Sequence, residues 1–151
     1  MIYDVLAAHA FTHGLTESQT RSLAEIAREV HFAEDDVVLV EGERSKSFYL
    51  LVSGSVAVEL RTARYAICVQ SLSDGHVFGW SSLLDRQDTL FQVRAREGTT
   101  VLEIDGTRLK ECCFRDPGLG TELLHRLLQV VAGRVKATEL RLAEMCGVKV
   151  G

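Results

Sequence analysis

At 151 residues with 46% hydrophobic content, the chain is long enough to bury a core of its own. It has no apolar run near the roughly 18 residues that a membrane span needs. The formal net charge is −4 and the 17 lysines and arginines are scattered, so no basic stripe is offered to a phosphate backbone and direct nucleic-acid binding is not expected.

In chain order, residues 2–11 and 16–29 read as helices, the second opening at Thr16 with Gln19 three places on, a capping-box pattern. Leu23, Ile26 and Ala27 form its apolar side. From Val30 to Ile104 the period changes to two, in short runs at Val37–Val40, Phe48–Val52, Val56–Leu60, Ile67–Leu72, Val77–Phe78, Phe91–Arg96 and Val101–Ile104. Seven or eight short strands at about ten-residue spacing predict a β-sandwich or barrel. Ser53-Gly54 between two alternating runs is a hairpin signal, with Val56, Val58 and Leu60 assigned to the core face and Ala57, Glu59 and Arg61 to the other. The single proline, Pro117, follows Asp116 at the start of a long helix over about 118–145. Leu124, Leu128, Val131, Val135, Thr138, Leu142 and Met145 recur along it at steps of four and three, the spacing of a two-helix seam. Leu123, Leu127 and Val130 widen the stripe in its first half, which suits packing on the β core as well as on a partner. Gly133 sits mid-helix at a cost of about 1 kcal/mol relative to alanine. The expected organisation is one domain over 1–151, with N-terminal helices at 1–29, β strands at 30–105 and C-terminal helices at 106–151.

The stretch from Glu41-Gly42-Glu43 through Phe48-Tyr49-Leu50-Leu51-Val52-Ser53-Gly54-Ser55-Val56-Ala57-Val58 resembles the β-roll of cyclic nucleotide-binding domains, particularly those of the bacterial catabolite activator family. Phe78-Gly79 matches the start of that family's phosphate-binding cassette, and Val93-Arg94-Ala95 the strand that follows it. The resemblance implies an eight-strand β-roll, or double-stranded jelly roll, with N-terminal helices, a short cassette helix and a long C-terminal dimerisation helix. It further implies a regulatory, non-catalytic, ligand-sensing role. In transcription factors of the family a helix-turn-helix domain follows the long helix; none is read in this sequence.

The cassette departs from the family at its chemistry. Nucleotide-binding members read Phe-Gly-Glu and then Arg-Ser/Thr-Ala, the Glu accepting a ribose hydroxyl and the Arg gripping the phosphate. Here Trp80 stands for the Glu, Thr89 for the Arg, Leu90 for the Ser/Thr and Phe91 for the Ala. A hydrogen bond to a charged group contributes about 1.5–3 kcal/mol, so loss of the arginine removes on the order of a hundred-fold in affinity. The expected ligand is therefore a small molecule other than cyclic AMP or cyclic GMP and less anionic than either. Candidate contacts are Phe78, Gly79, Trp80, Ser81, Ser82, Arg86, Thr89 and Leu90, with Val58 and Val69 from the strands. Thr138 joins them by resemblance to a threonine that touches the base. Arg86 or Arg94 are the possible compensating cations, although Arg94 alternates with Val93 and Phe91 and so points away from the face they share.

Trp80 stacks on a flat ligand or fills the space a nucleotide would occupy. If Trp80, Leu90 and Phe91 plug the pocket, the chain is a ligand-free adapter; if the cassette amides and Arg86 suffice, it binds cyclic nucleotides after all. The dimer interface is expected at Leu124, Leu128, Val131, Val135, Thr138 and Leu142, giving a homodimer, with a partner protein possible and no membrane contact.

No H-x-H pair exists and His9 and His13 form at most a partial site, so no metal or other cofactor is expected. Cys68, Cys112, Cys113 and Cys146 lack C-x-x-C spacing, and the start of the chain, with Asp4 and no basic residues, shows no leader, so a cytoplasmic location is expected. Cys112 and Cys113 read as structural thiols, with redox sensing the alternative. No nucleophile, phosphate-loop or paired-carboxylate motif appears, and an enzyme is not expected.

Overall fold

The computed structural model describes residues 1–85 and 91–149. Helix α1 spans Ile2–Ala8 and α2 Glu17–Ile26, the latter capped as its sequence predicts: Thr16 Oγ1 accepts from the Gln19 amide at 3.1 Å and Gln19 Oε1 accepts from the Thr16 amide at 3.0 Å. The predicted extension of this helix to residue 29 is corrected. Ala27–Phe32 is strand β1, because its six residues pair antiparallel with Thr99–Asp105, strand β8, from Ala27↔Ile104 to Phe32↔Thr99. A long-range ladder of this kind overrides the helical preference of Ala27-Arg28-Glu29.

The remaining strands are β2 (Val37–Leu39), β3 (Ser47–Ser53), β4 (Ser55–Arg61), β5 (Ala66–Ser73), β6 (Val77–Phe78) and β7 (Gln92–Ala95). They form two four-stranded antiparallel sheets, ordered β1-β8-β3-β6 and β2-β7-β4-β5. This is the eight-strand β-roll of the sequence reading. The Ser53-Gly54 hairpin is not formed: β3 and β4 are consecutive but belong to different sheets, so the turn carries the chain across the sandwich. Gly54 makes that crossing with φ +102°, and a Cβ there would stand 2.6 Å from Thr99 Oγ1 and 2.7 Å from the Gly98 carbonyl oxygen.

The first sheet is covered on both faces. Phe48, Leu50, Leu102 and Ile104 pack with Leu6, Phe11, Leu23 and the C-terminal helices, while Tyr49, Leu51 and Val101 turn into the sandwich against Val56, Val58, Leu72 and Val93. That double burial accounts for the unbroken apolar run at Phe48–Leu51.

Ala57 and Glu59 lie on the face opposite Val56 and Val58, as read, yet that face is covered, and they are only 2% and 3% exposed. Glu59 lies under Arg94, whose Nε and Nη2 donate to its two carboxylate oxygens at 3.0 and 2.6 Å, and beside Gln92, whose Nε2 donates at 2.8 Å.

Helix α3 covers Gly106–Arg115, and α4 runs for 29 residues, Pro117–Met145. Asp116 Oδ1 caps α4 by accepting from the Leu119 amide at 3.1 Å, with Pro117 in its first turn as expected. Leu119, Leu123 and Leu127 are buried and bind the first half of α4 to the roll. No helix of the described residues is long and apolar enough to cross a membrane.

Candidate functional site

The cassette begins where β6 ends. Gly79 turns the chain at φ +79°, and a Cβ there would meet the Ser47 carbonyl oxygen at 2.6 Å and Tyr49 Cδ2 at 2.9 Å. Phe78, just before it, stacks on Tyr49 with ring centroids 4.8 Å apart. The helix predicted after Gly79 is a single 3-10 turn, Trp80–Leu83, in which the Ser82 amide and hydroxyl both donate to the Gly79 carbonyl, at 3.0 and 2.7 Å. Ser82 is thus occupied with local structure and does not line the cavity; Ser81 is buried and does. Four residues are too few to align a helix dipole of consequence, which weakens the cassette as an anion site.

Beside the cassette a cavity of about 880 Å³ opens. Val58, Leu72, Phe78 and Val93 form its apolar floor, and Gly79, Trp80 and Ser81 one wall. Trp80 is partly buried against the helical side of the core and stands on the wall, leaving the cavity open. Of the three residues read as a plug, Trp80 and Phe91 border the cavity and Leu90 lies outside the described residues.

Val69 is not among the lining residues. The β4–β5 register shifts between Val58↔Gln70 and Glu59↔Cys68, so Val69 falls in a bulge and packs with the sandwich core, and Gln70 lines the cavity. Thr138 is also absent from the lining. It is exposed and donates to the Arg134 carbonyl at 3.0 Å, one turn back.

Arg134 takes its place. Its Nη1 donates to Gln70 Oε1 at 2.7 Å, its guanidinium carbon lies 5.3 Å from the centroid of the Phe91 ring, and burial pulls its pKa below the ordinary arginine value. The sequence reading missed this residue and looked to Arg86 or Arg94 for the site's charge. A signal existed: Leu123, Leu127, Val130 and Arg134 continue one another at helical spacing, so the stripe that packs on the roll ends in an arginine.

Arg86, Thr89 and Leu90 lie outside the described residues. Arg94 faces away from the cavity as expected, held by Glu59 and, at 2.8 Å, by Asp35 Oδ1, so it is not a compensating cation. Near the N-terminal loop the cavity is bordered by Arg126, whose Nε donates to Glu122 Oε1 at 2.9 Å and whose Nη1 donates to the carbonyls of Phe11 and His13, each at 2.7 Å. Gly133 borders it too, with nothing within 4 Å of a would-be Cβ.

His9 and His13 do not form a joint site. His9 is buried just past the end of α1, its Nδ1 accepting from the Phe11 amide at 3.1 Å and its Nε2 lying 2.8 Å from the Leu51 carbonyl. With Nδ1 an acceptor, Nε2 carries the proton and the ring is neutral, in keeping with a pKa that burial lowers. Among the described residues no group of three or more histidines, cysteines or acidic side chains is placed to hold a metal. The four cysteines are free thiols, and burial, followed by the neighbouring Cys112, pushes the Cys113 thiol up. Along α4, Leu124, Leu128, Val135 and Leu142 are 50–67% exposed, Thr138 is exposed, and Val131 packs partly against the core.

The comparisons agree with this geometry. The potassium channel AKT6 of Arabidopsis thaliana is 26% identical over 152 residues covering 95% of the chain, and the chain spans 17% of that channel's length, as it does for the related AKT5. A cyclic nucleotide-binding domain from Methylobacillus flagellatus KT superposes with a TM-score of 0.80 at 19% identity, covering 99% of this chain and 83% of that one. The regulatory subunit of a cAMP-independent protein kinase A from Trypanosoma cruzi, bound to guanosine, gives a TM-score of 0.75 at 19% identity over 96% of this chain and 50% of its own. A family model, the cyclic nucleotide-binding domain, matches residues 29–116, from within β1 through α3, and the chain belongs to that family.

Proposed function

We propose that this is a non-catalytic regulatory module whose cavity senses a small molecule other than cyclic AMP or cyclic GMP, and that it acts as a homodimer through α4. The observation that carries the proposal is a ligand-sized cavity beside a cassette in which Trp80 occupies the position of the ribose-binding glutamate and Thr89 that of the phosphate-binding arginine. A preserved cavity with altered contacts supports a retuned specificity more than a vestigial fold. The guanosine-bound kinase subunit lends support by analogy, because it pairs this fold with a ligand that lacks a phosphate. For the dimer, support comes from the exposed leucines and valine of α4, which lie on the predicted seam.

Trp80 is the sole tryptophan and borders the cavity, so its emission reports occupancy directly. We expect no saturable change with micromolar cyclic AMP or cyclic GMP, and a small molecule retained in native mass spectra of protein purified from its own cells. Saturable nucleotide binding with a raised melting temperature would overturn the assigned specificity.

A further inference from the structure

The charges around the cavity are unevenly matched. Glu122 and Arg126 pair with each other, and Arg126 is further tied to two backbone carbonyls. Arg94 and Glu59 pair on the outer face of the roll. The ring nitrogen Nδ1 of His76 accepts the Ser73 amide at 2.9 Å, and His125 Nε2 lies 3.3 Å from Gln129 Nε2. Arg134 is different. Its hydrogen-bond partner is the neutral amide oxygen of Gln70, its guanidinium carbon lies over the Phe91 ring, and no carboxylate of the described residues pairs with it. A guanidinium has five N–H donors, so four remain for a ligand. Partial burial makes an uncompensated cation costly, and an anion bound beside it relieves that cost.

We propose that the cavity takes an organic monoanion, a carboxylate on a flat apolar body, and holds the charged group between Arg134 of α4 and Gln70 of β5 instead of at the cassette. The proposal rests on the cavity's being a ligand site and specifies what that ligand is. One unmatched cation calls for one negative charge. The guanidinium fork fits the two oxygens of a carboxylate, and the amide nitrogen of Gln70 is available as a further donor. The rest of the molecule then lies along Val58, Leu72, Phe78 and Val93 with Trp80 at its edge, surfaces that favour an apolar, planar body. The charge is thereby read from the helix and the bulged strand, on a different wall from Gly79–Ser81.

The test compares 1-naphthoate with its neutral isostere 1-naphthamide, by calorimetry and by Trp80 emission on the full chain at neutral pH. The carboxylate should bind about ten-fold or more tightly than the amide. Arg134→Gln should erase that difference by weakening the carboxylate about ten-fold or more and the amide by much less, the loss expected when a charge-assisted hydrogen bond is removed. Gln70→Glu, which neutralises the guanidinium without removing it, should erase it as well, and serves if the Arg134 variant does not fold. Equal binding of the two probes to the wild type, or a preference that survives both substitutions, overturns the anion assignment while the ligand site stands. If neither probe binds, this proposal falls, and the ligand-site reading is decided separately by the native mass spectra.

Discussion

Glu59 and Arg94 show how a charge pair on one face of the roll frees the other face for ligand. The Glu59 carboxylate is almost fully buried, and Arg94 is its main neutralising partner, with Gln92 a second donor. The guanidinium hydrogen bonds hold its pKa below the ordinary 4.5 despite burial, which acts the other way. Arg94→Met should therefore destabilise the fold by about 3 kcal/mol at pH 7, measured by urea unfolding, because it strands a buried carboxylate. The sign with pH follows from linkage. A depressed carboxyl pKa contributes stability that is complete above 4.5 and lost as pH falls through the lower folded value, so the gap between wild type and variant should narrow at pH 3. At this scale the sequence was informative where period two holds: it placed Arg94 opposite Val93 and put Val58 in the cavity. It named Val69 for the site where Gln70 stands, because a bulge inverts the alternation without any residue that announces it. Arg134 was legible in principle from its place on the buried stripe, yet a charged residue on a long helix is ordinarily solvated and draws no notice.

The elements divide by how local their causes are. The capping box at Thr16 and the Asp116-Pro117 start of α4 were readable because donor and acceptor lie within three residues of each other. The first half of β1, Ala27–Glu29, was misread as helix and Ser53-Gly54 as a hairpin because the partners of β1 and β3 in Thr99–Asp105, and of β4 in Gln92–Ala95, are far along the chain. Two glycines illustrate the same division and invite opposite outcomes. Gly133→Ala meets no atom within 4 Å in the middle of α4 and should stabilise by about 1 kcal/mol through helix propensity alone. Gly79→Ala must adopt a positive φ against the Ser47 carbonyl and should destabilise by at least about 2 kcal/mol. Paired urea titrations read both values, and a neutral Gly79→Ala would contradict the cassette geometry.

For the molecule as a whole, α4 joins two tasks. Leu123 and Leu127 fasten its first half to the roll, Arg134 reaches the cavity, and Leu124, Leu128, Val135 and Leu142 remain outside. Under the proposed dimer, Leu128→Glu combined with Val135→Glu should halve the mass seen by light scattering without altering the far-UV circular dichroism, since neither side chain belongs to the core. An unchanged mass would remove α4 from the interface. The eight-strand architecture was legible from strand count, turn spacing and family resemblance together; the positioning of the cavity charge was not, because it depends on where a helix lies against a sheet.

The strand orders β1-β8-β3-β6 and β2-β7-β4-β5 carry a kinetic consequence. The last two strands to be synthesised, β7 and β8, are each an interior strand of a sheet, and each joins two strands made earlier. Arg28 finds Glu103 across 75 residues. A growing chain therefore holds β2 unpaired until Ala95, and β1 until Asp105, has left the ribosome, and the entropic cost of closing these long loops is met late. Folding on the millisecond-to-second scale of nonlocal β topologies follows, with the unpaired apolar run at Phe48–Leu51 the segment most exposed to misassociation in the interval.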